Sequence, residues 1–205
     1  MNKYAIIGYS GHAYVVIEAA KKAGITISAY SDIEEVNNNR YDLNYLGNES
    51  DEDFSGWGKG FGFIAGIGDN NIRKKVTELV LDQNEKLVSV VHPNAWVSDS
   101  ARIGSGTFVS SGAQINAKAE IGKSVIVNTS AVVEHECSIG DFVHIAPGAV
   151  LSGNVSVGKG AFIGANSVIK QGITIGENVL IGAGSVILED VESDTKVVGN
   201  PGRVL

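Results

Sequence analysis

From Val91 onward every sixth residue is a branched aliphatic, and the register holds without a break to Ile187. The series opens Val91, Val97, Ile103, Val109 and closes Ile175, Ile181, Ile187, with only Val, Ile and Leu between. Glycine often follows the aliphatic, as at Gly104, Gly122, Gly140, Gly158 and Gly176. The fifth hexad position is mostly small or β-branched, as at Ala95, Ala101, Thr107 and Ala113. A period of six is neither the 3.6 of a helix nor the 2 of a single long strand. It suits a short flat strand followed by a corner. Three such faces close an 18-residue triangular coil with the aliphatics inside. Stacked coils satisfy one another's backbone groups at ~4.8 Å spacing. Residues 91–205 are therefore predicted to form a parallel β-helix. The repeat aliphatics are its core, so function is to be sought where the repeat carries an odd residue.

Residues 1–90 follow a different pattern. A buried strand is predicted over Tyr4–Gly8, a tight turn at Tyr9-Ser10-Gly11-His12, and a helix from Ala13 to Ala23 ended by Gly24. That helix would bury Val16, Ala19, Ala20 and Ala23. Further strands are expected at Ile25–Tyr30, Phe61–Ile67 and Leu87–Val91, with a helix over Asn70–Gln83 and a loop-rich stretch from Ile33 to Lys59. Alternating strands and helices imply a small parallel α/β sheet. The glycine turn ahead of the first helix offers N–H groups and a positive dipole end to an anion. As a dinucleotide fingerprint it fails, because Ser10 and Ala13 stand at the second and third glycine positions.

Bulk properties remove several classes of function. A net charge of −7 disfavours nonspecific binding to nucleic acid or to an anionic membrane. No run of 18 apolar residues exists to span a membrane, and the short apolar run at Tyr4–Gly8 is no secretory leader. One cysteine, Cys137, precludes an internal disulfide and fits a reducing compartment. The expected location is the cytoplasm.

The succession Gly8-Tyr-Ser-Gly-His12, Ser31-Asp32, Gly66-Ile-Gly-Asp-Asn70 with Arg73, then hexads, resembles the nucleotide-sugar N-acetyltransferases of bacterial glycan pathways. These are the hexapeptide-repeat acyltransferases that make bacillosamine, perosamine and related 4-acetamido sugars; sialic acid O-acetyltransferases are relatives. The resemblance implies that the β-helix is left-handed and the protein a homotrimer with sites between subunits. It implies that residues 1–90 hold the nucleotide sugar and residues 91–205 hold acetyl-CoA, with no metal. Ser10, Gly11 and His12 would contact the diphosphate, Ser31 and Asp32 would lie by the base or ribose, and Gly68 by the nucleotide. Ser31-Asp32 stands where family members often carry two adjacent acids.

The repeat itself points to His135. It is a third hexad residue, and its neighbours 18 residues away, Ala117 and Gly153, are both tiny. Such a ring would have open space beside it. His144, nine residues on, falls on another face, so the two rings should not meet within one chain. His92 precedes Pro93 at the junction and reads as structural. The resemblance makes His135 the general base, with Glu136 raising its basicity, and places His144 near the acetyl carbonyl. Asn128 would orient the sugar amine, Gly153 would offer its N–H to the thioester oxygen, and Ala165 and Ala183 would line the pantetheine track. Glu136 can reach the ring only if the backbone turns there, because adjacent strand residues face opposite ways. The chemistry is coherent: a base takes the proton of an amine as it attacks the thioester, and an N–H donor stabilises the oxyanion. Cys137, a fifth-position residue, would point inward and be inert. Acetylation of a sugar hydroxyl would use the same base. A zinc hydrolase would need three converging histidines, which spacings of 43 and 9 residues do not provide.

Overall fold

A computed structural model describes residues 3–205. The first unit comprises β1 (Lys3–Ile7), α1 (Gly11–Lys22), β2 (Ile27–Ser31), β3 (Asn44–Tyr45), β4 (Phe61–Ala65), α2 (Asn70–Asp82) and β5 (Lys86–Leu87). The strands form one parallel sheet in the order β3-β2-β1-β4-β5. The carboxyl ends of β1, β2 and β4 therefore share one edge, and the order reverses beside β1. That edge is where open α/β sheets take ligands.

α1 begins two residues earlier than the glycine turn suggested. Gly8 alone makes the reversal, at φ +87, where a Cβ would sit 2.8 Å from Ile67 Cγ1. Gly11 and His12 are already helical. The helix buries Ala13, Val16, Ile17, Ala19 and Ala20. Ala23, expected on that face, is instead the C-cap, and Gly24 stops the helix at φ +77. β4 ends at Ala65, two residues short of Ile67, where Gly66 passes tightly between α1 and the first turn. A Cβ on Gly66 would lie 2.8 Å from Ala13 Cβ and 2.9 Å from Gly8 O. The stretch 33–59 is not all loop: β3 adds an edge strand beside β2. Leu87–Val91, expected as one strand, is two. Val88 N still donates to Phe63 O in the sheet, whereas β6 (Val90–Val91) pairs with Phe108–Val109 of the next coil. The chain must leave a flat sheet to start a coil, and it does so within two residues.

The rest is a parallel β-helix of two-residue strands on three sheets, closed by the three-residue strand Lys196–Val198 and its antiparallel partner Arg203–Val204. The repeat aliphatics and fifth-position residues fill its interior from Val109 to Ile187. The physical origin of the period lies at the fourth hexad position. It has positive φ at every corner from Gly106 to Gly184, whether occupied by Gly, Asn, Ser, Lys, Glu or Phe. One left-handed residue per six turns the chain at each corner. The glycine after the aliphatic has another cause. A Cβ on Gly140 or Gly158 would lie 2.7 Å or 2.5 Å from the backbone nitrogen of the coil above.

The sixth-position side chains point outward, and the three faces differ. One presents Val90, Phe108, Ile126 and His144, all buried, largely under α1 and its neighbours. A second presents Arg102, Glu120, Ser138, Ser156 and Thr174, all exposed. The third presents Trp96, Gln114, Val132, Val150, Val168 and Val186, with Trp96 60% exposed. Among the described residues no helix is long and apolar enough to cross a membrane.

Candidate active site

His135 stands on an exposed corner after the strand Val132–Val133. Glu136 occupies the left-handed fourth position, φ 62, so the backbone does turn between the two residues. Its Oε2 lies 3.3 Å from His135 Nδ1, and its Oε1 lies 3.6 Å from Lys118 Nζ. The space beside His135 is not empty on the Gly153 side. A Cβ there would fall 2.5 Å from Cε1 and 2.6 Å from Nε2, so the imidazole itself lies over the glycine. Gly153 is thus the floor on which the ring rests. A carboxylate at Nδ1 orients the ring and leaves Nε2 as the basic nitrogen.

A second cluster forms where the first unit docks on the coils. His12, in the first turn of α1, has its Nε2 buried without a hydrogen-bond partner. Its ring centroid is 6.4 Å from that of His144 and 5.5 Å from Phe108. His144 Nδ1 lies 3.3 Å from Gly68 O, and its Nε2 lies 3.1 Å from Asn128 Nδ2. Asn128 therefore meets His144, not His135, in this chain. Among the described residues no contact joins His135 to His144, as the nine-residue offset required.

Arg73 holds this junction together. Along α2 it stands merely among basic residues, yet it is 1% exposed. Its Nε donates to Ser124 O, Nη1 to Gly68 O, and Nη2 to Phe142 O and Asn70 Oδ1, at 2.8 to 3.0 Å. Asn70 Nδ2 in turn donates to Gly160 O and Ala161 O. A buried cation is tolerable only when its donors are satisfied, and here carbonyls satisfy them. Burial brings the Arg73 pKa down to about 10, with Asp69 acting in the opposite sense. Nothing in a helical heptad marks an arginine as buried, so its role emerges only from docking.

Burial and then Arg73 push both His12 and His144 down to about 4, with His12 adding to the effect on His144. Both rings are neutral at pH 7. Unfolded, they would titrate near 6.5, so between pH 6.5 and 4 the unfolded chain binds more protons. Their contribution to stability is complete above about pH 6.5 and is lost as pH falls toward 4. Chemical denaturation is expected to show a loss on the order of 3 kcal/mol per ring between pH 7 and 4, roughly 6 kcal/mol for the pair. A His12→Asn, His144→Asn double variant should flatten that slope.

The remaining predicted residues fall on the sheet edge or on the coils. Ser10 is the exposed N-cap of α1, and its side chain makes no capping bond. Gly11 has open space around it. In α2, by contrast, the Asp69 carboxylate accepts from Asn71 N and Ile72 N. α1 thus carries the uncapped helix N-terminus of the two. Asp32 ties the glycine turn to β2, its Oδ2 accepting from Tyr9 N at 2.7 Å and its Oδ1 from Ile33 N. Ser31 is fully buried and its hydroxyl donates to Glu49, a partner that no motif in the chain marks. A Cβ on Gly68 would lie 3.7 Å from His12 Cβ, and the glycine sits on the rim of a groove of about 610 Å³ that also touches Asn70, Lys74, Phe162 and Asp194. Ala165 and Ala183 sit on one corner of successive coils, half-buried and exposed, and Ala165 O accepts from Gly184 N. Cys137 is buried, its thiol pKa raised by burial, and it donates to Ser152 O.

A parallel α/β unit pinned to a β-helix, with an imidazole–carboxylate pair on an otherwise small-residue corner, is the arrangement of a hexapeptide-repeat acyltransferase. Residues 3–80 match the family described as PglD N-terminal domain, and residues 154–189 match the hexapeptide repeat of succinyl-transferase. No curated protein matches the chain. Among solved structures, the acetyltransferase domain of PglB from Neisseria gonorrhoeae is 36% identical over 100% of both chains, with a TM-score of 0.94. A histidine-substituted perosamine N-acetyltransferase from Caulobacter crescentus is 34% identical over 100% of this chain and 97% of that one, TM-score 0.92. WeeI from Acinetobacter baumannii is 26% identical over 100% of both, TM-score 0.88. The chain belongs to this family of hexapeptide-repeat sugar N-acetyltransferases.

Proposed function

We propose that this acetyltransferase moves the acetyl group of acetyl-CoA to the amine of a nucleotide-linked amino sugar, with His135 as general base. The observation that carries the reading is the His135–Glu136 pair, exposed and resting on Gly153. Support also comes from relatives: the Neisseria domain was captured with acetyl coenzyme A, and the Caulobacter enzyme with CoA and GDP-perosamine. His135 Nε2 takes the amine proton as nitrogen attacks the thioester carbonyl, and CoA thiolate leaves. No acyl-enzyme is needed, since the nucleophile is already on the acceptor. Release of free thiol with dTDP-, UDP- and GDP-linked 4-amino sugars tests this; turnover only with hydroxyl sugars would overturn it. Acetyl-CoA and a single reduced cysteine fit the cytoplasm.

Ligands divide between the two units in this reading. Residues 1–90 hold the nucleotide sugar, its diphosphate at the open N-terminus of α1 by Ser10, Gly11 and His12. Asp32 holds the turn and retains lone pairs for a ribose, with Ser31 supporting it from behind and Gly68 by the nucleotide. Residues 91–205 hold acetyl-CoA along Gly153, Ala165 and Ala183. His12→Ala and Asp32→Ala should raise KM for the nucleotide sugar several-fold and leave KM for acetyl-CoA within twofold. Ala165→Trp should do the reverse. Initial rates with each substrate varied in turn decide between this and the opposite assignment.

The site needs more than one chain. One outer face of the coil is covered by the first unit from Val90 to His144 and one is polar, but the face of Trp96, Val132, Val150, Val168 and Val186 is apolar apart from Gln114 and half-exposed to exposed. A second and third copy packed around it as a homotrimer would bring the His135 corner of one chain beside the His144 face of the next. Val150→Asp is expected to yield a folded monomer by light scattering, with activity down at least tenfold. A fully active monomer would remove the shared site.

A further inference from the structure

We propose that Arg73, Gly68, His144 and Asn128 form a hydrogen-bond relay of fixed polarity, in which Arg73 and His144 both donate to Gly68 O, with Arg73 as its positioning residue, and that the relay turns an N–H of the Asn128 amide toward the acyl-transfer site. The inference rests on Asn128 belonging to that site.

The polarity follows from the two ends of the chain of bonds. Gly68 O can only accept, so His144 Nδ1, 3.3 Å away, must carry the ring hydrogen. Thr129 N can only donate, and it lies 2.8 Å from Asn128 Oδ1. The amide nitrogen therefore faces His144, and the neutral ring accepts from it through Nε2 at 3.1 Å. Each bond leaves the next a single option. Arg73 fixes the far end, because its guanidinium is buried, anchored on Ser124 O and Phe142 O, and donates to Gly68 O at 3.0 Å. That carbonyl is thereby held on the imidazole.

Arg73 also keeps the ring uncharged. The titratable or charged groups packed near His144 are Arg73 on α2 and His12 on α1, while Asn128 and Phe162 come from the adjoining coils. Burial, Arg73 and His12 all lower the His144 pKa, to about 4, and only the Gly68 carbonyl opposes them. Both nitrogens of His144 are thus committed within this chain, and the neutral ring has no further hydrogen to donate. Asn128 is half-buried and keeps one amide hydrogen unspent. That hydrogen suits an oxygen of the bound substrates, the acyl oxygen above all. It does not suit the attacking amine, whose lone pair must stay free for the carbonyl carbon.

Long-range ¹H–¹⁵N correlation spectra of ¹⁵N-histidine protein test the relay without reference to turnover. His144 should appear as the neutral Nδ1–H tautomer from pH 5.5 to 8. In Asn128→Asp, the introduced carboxylate cannot donate to Nε2, so the ring should charge and titrate above 6.5. Arg73→Met should mix the tautomers and lower kcat about tenfold or more, with KM for acetyl-CoA within twofold; Arg73→Lys should recover part of the loss. Asn128 is half-exposed, so its variants remain informative if Arg73→Met does not fold. An Nε2–H tautomer in the unmodified protein, or an unshifted His144 titration in Asn128→Asp, overturns the relay. An intact relay with full kcat in Asn128→Ala overturns the placement of Asn128 in the site.

Discussion

Replacing His135 with alanine is expected to lower kcat by ~10²–10⁴, the usual cost of losing a general base. KM for the nucleotide sugar should change by less than twofold. The residue is suited to this test because its side chain is half exposed, at 51%, and among the described residues its one polar partner is the adjacent Glu136. Removing it opens no interior cavity, so the melting temperature should stay within about 2 °C, as for surface substitutions. The loss should appear in kcat and kcat/KM together, since proton removal is an interaction made in the transition state. Steady-state rates by thiol release, with circular dichroism as the folding control, provide the check. Activity within threefold of the parent would remove His135 from the mechanism.

A second large effect is expected where no reacting group is touched. Gly153→Val should lower kcat by about 10², the scale of a ~1 Å misplacement of a catalytic group. The first atom of the new side chain would overlap Cε1 and Nε2 of His135, at 2.5 and 2.6 Å, and force the ring off its floor. The backbone itself accepts a side chain at this hexad position, since Thr129, Asp141 and Lys159 occupy it in other coils. Gly153 has no positive φ to strain. The fold should therefore survive while the base is displaced. In a His135→Ala background the same substitution should add little further loss, because the ring it displaces is already gone. Full additivity would show that Gly153 acts by another route, such as its N–H on the thioester oxygen.

His12, His135, Arg73 and Glu49 are legible to different depths in the chain. His135 is conspicuous because an unbroken hexad register makes any large polar third-position residue stand out against neighbours 18 residues away. His12 is visible as a residue of the glycine turn, but its burial beside His144 is not. Arg73 and Glu49 do not stand out as site elements at all. The coil carbonyls that Arg73 holds lie 51 and 69 residues away, and the Ser31 hydroxyl that Glu49 accepts from lies 18 residues away, on elements whose approach no local pattern encodes.

The sequence by itself determined the β-helix, its length and its inward face, because a strict six-residue period admits one repeating geometry and each coil contacts only its neighbours. It determined the α/β character of the first unit and the offset that keeps His135 and His144 apart, since both follow from local spacing. The tertiary structure alone decided how the first unit sits on the coils. That docking buries Arg73, neutralises His12 and His144, and joins Asn128 to His144. Desolvation and hydrogen-bond direction depend on what surrounds a side chain in space, and a one-dimensional pattern records only what is adjacent along the chain.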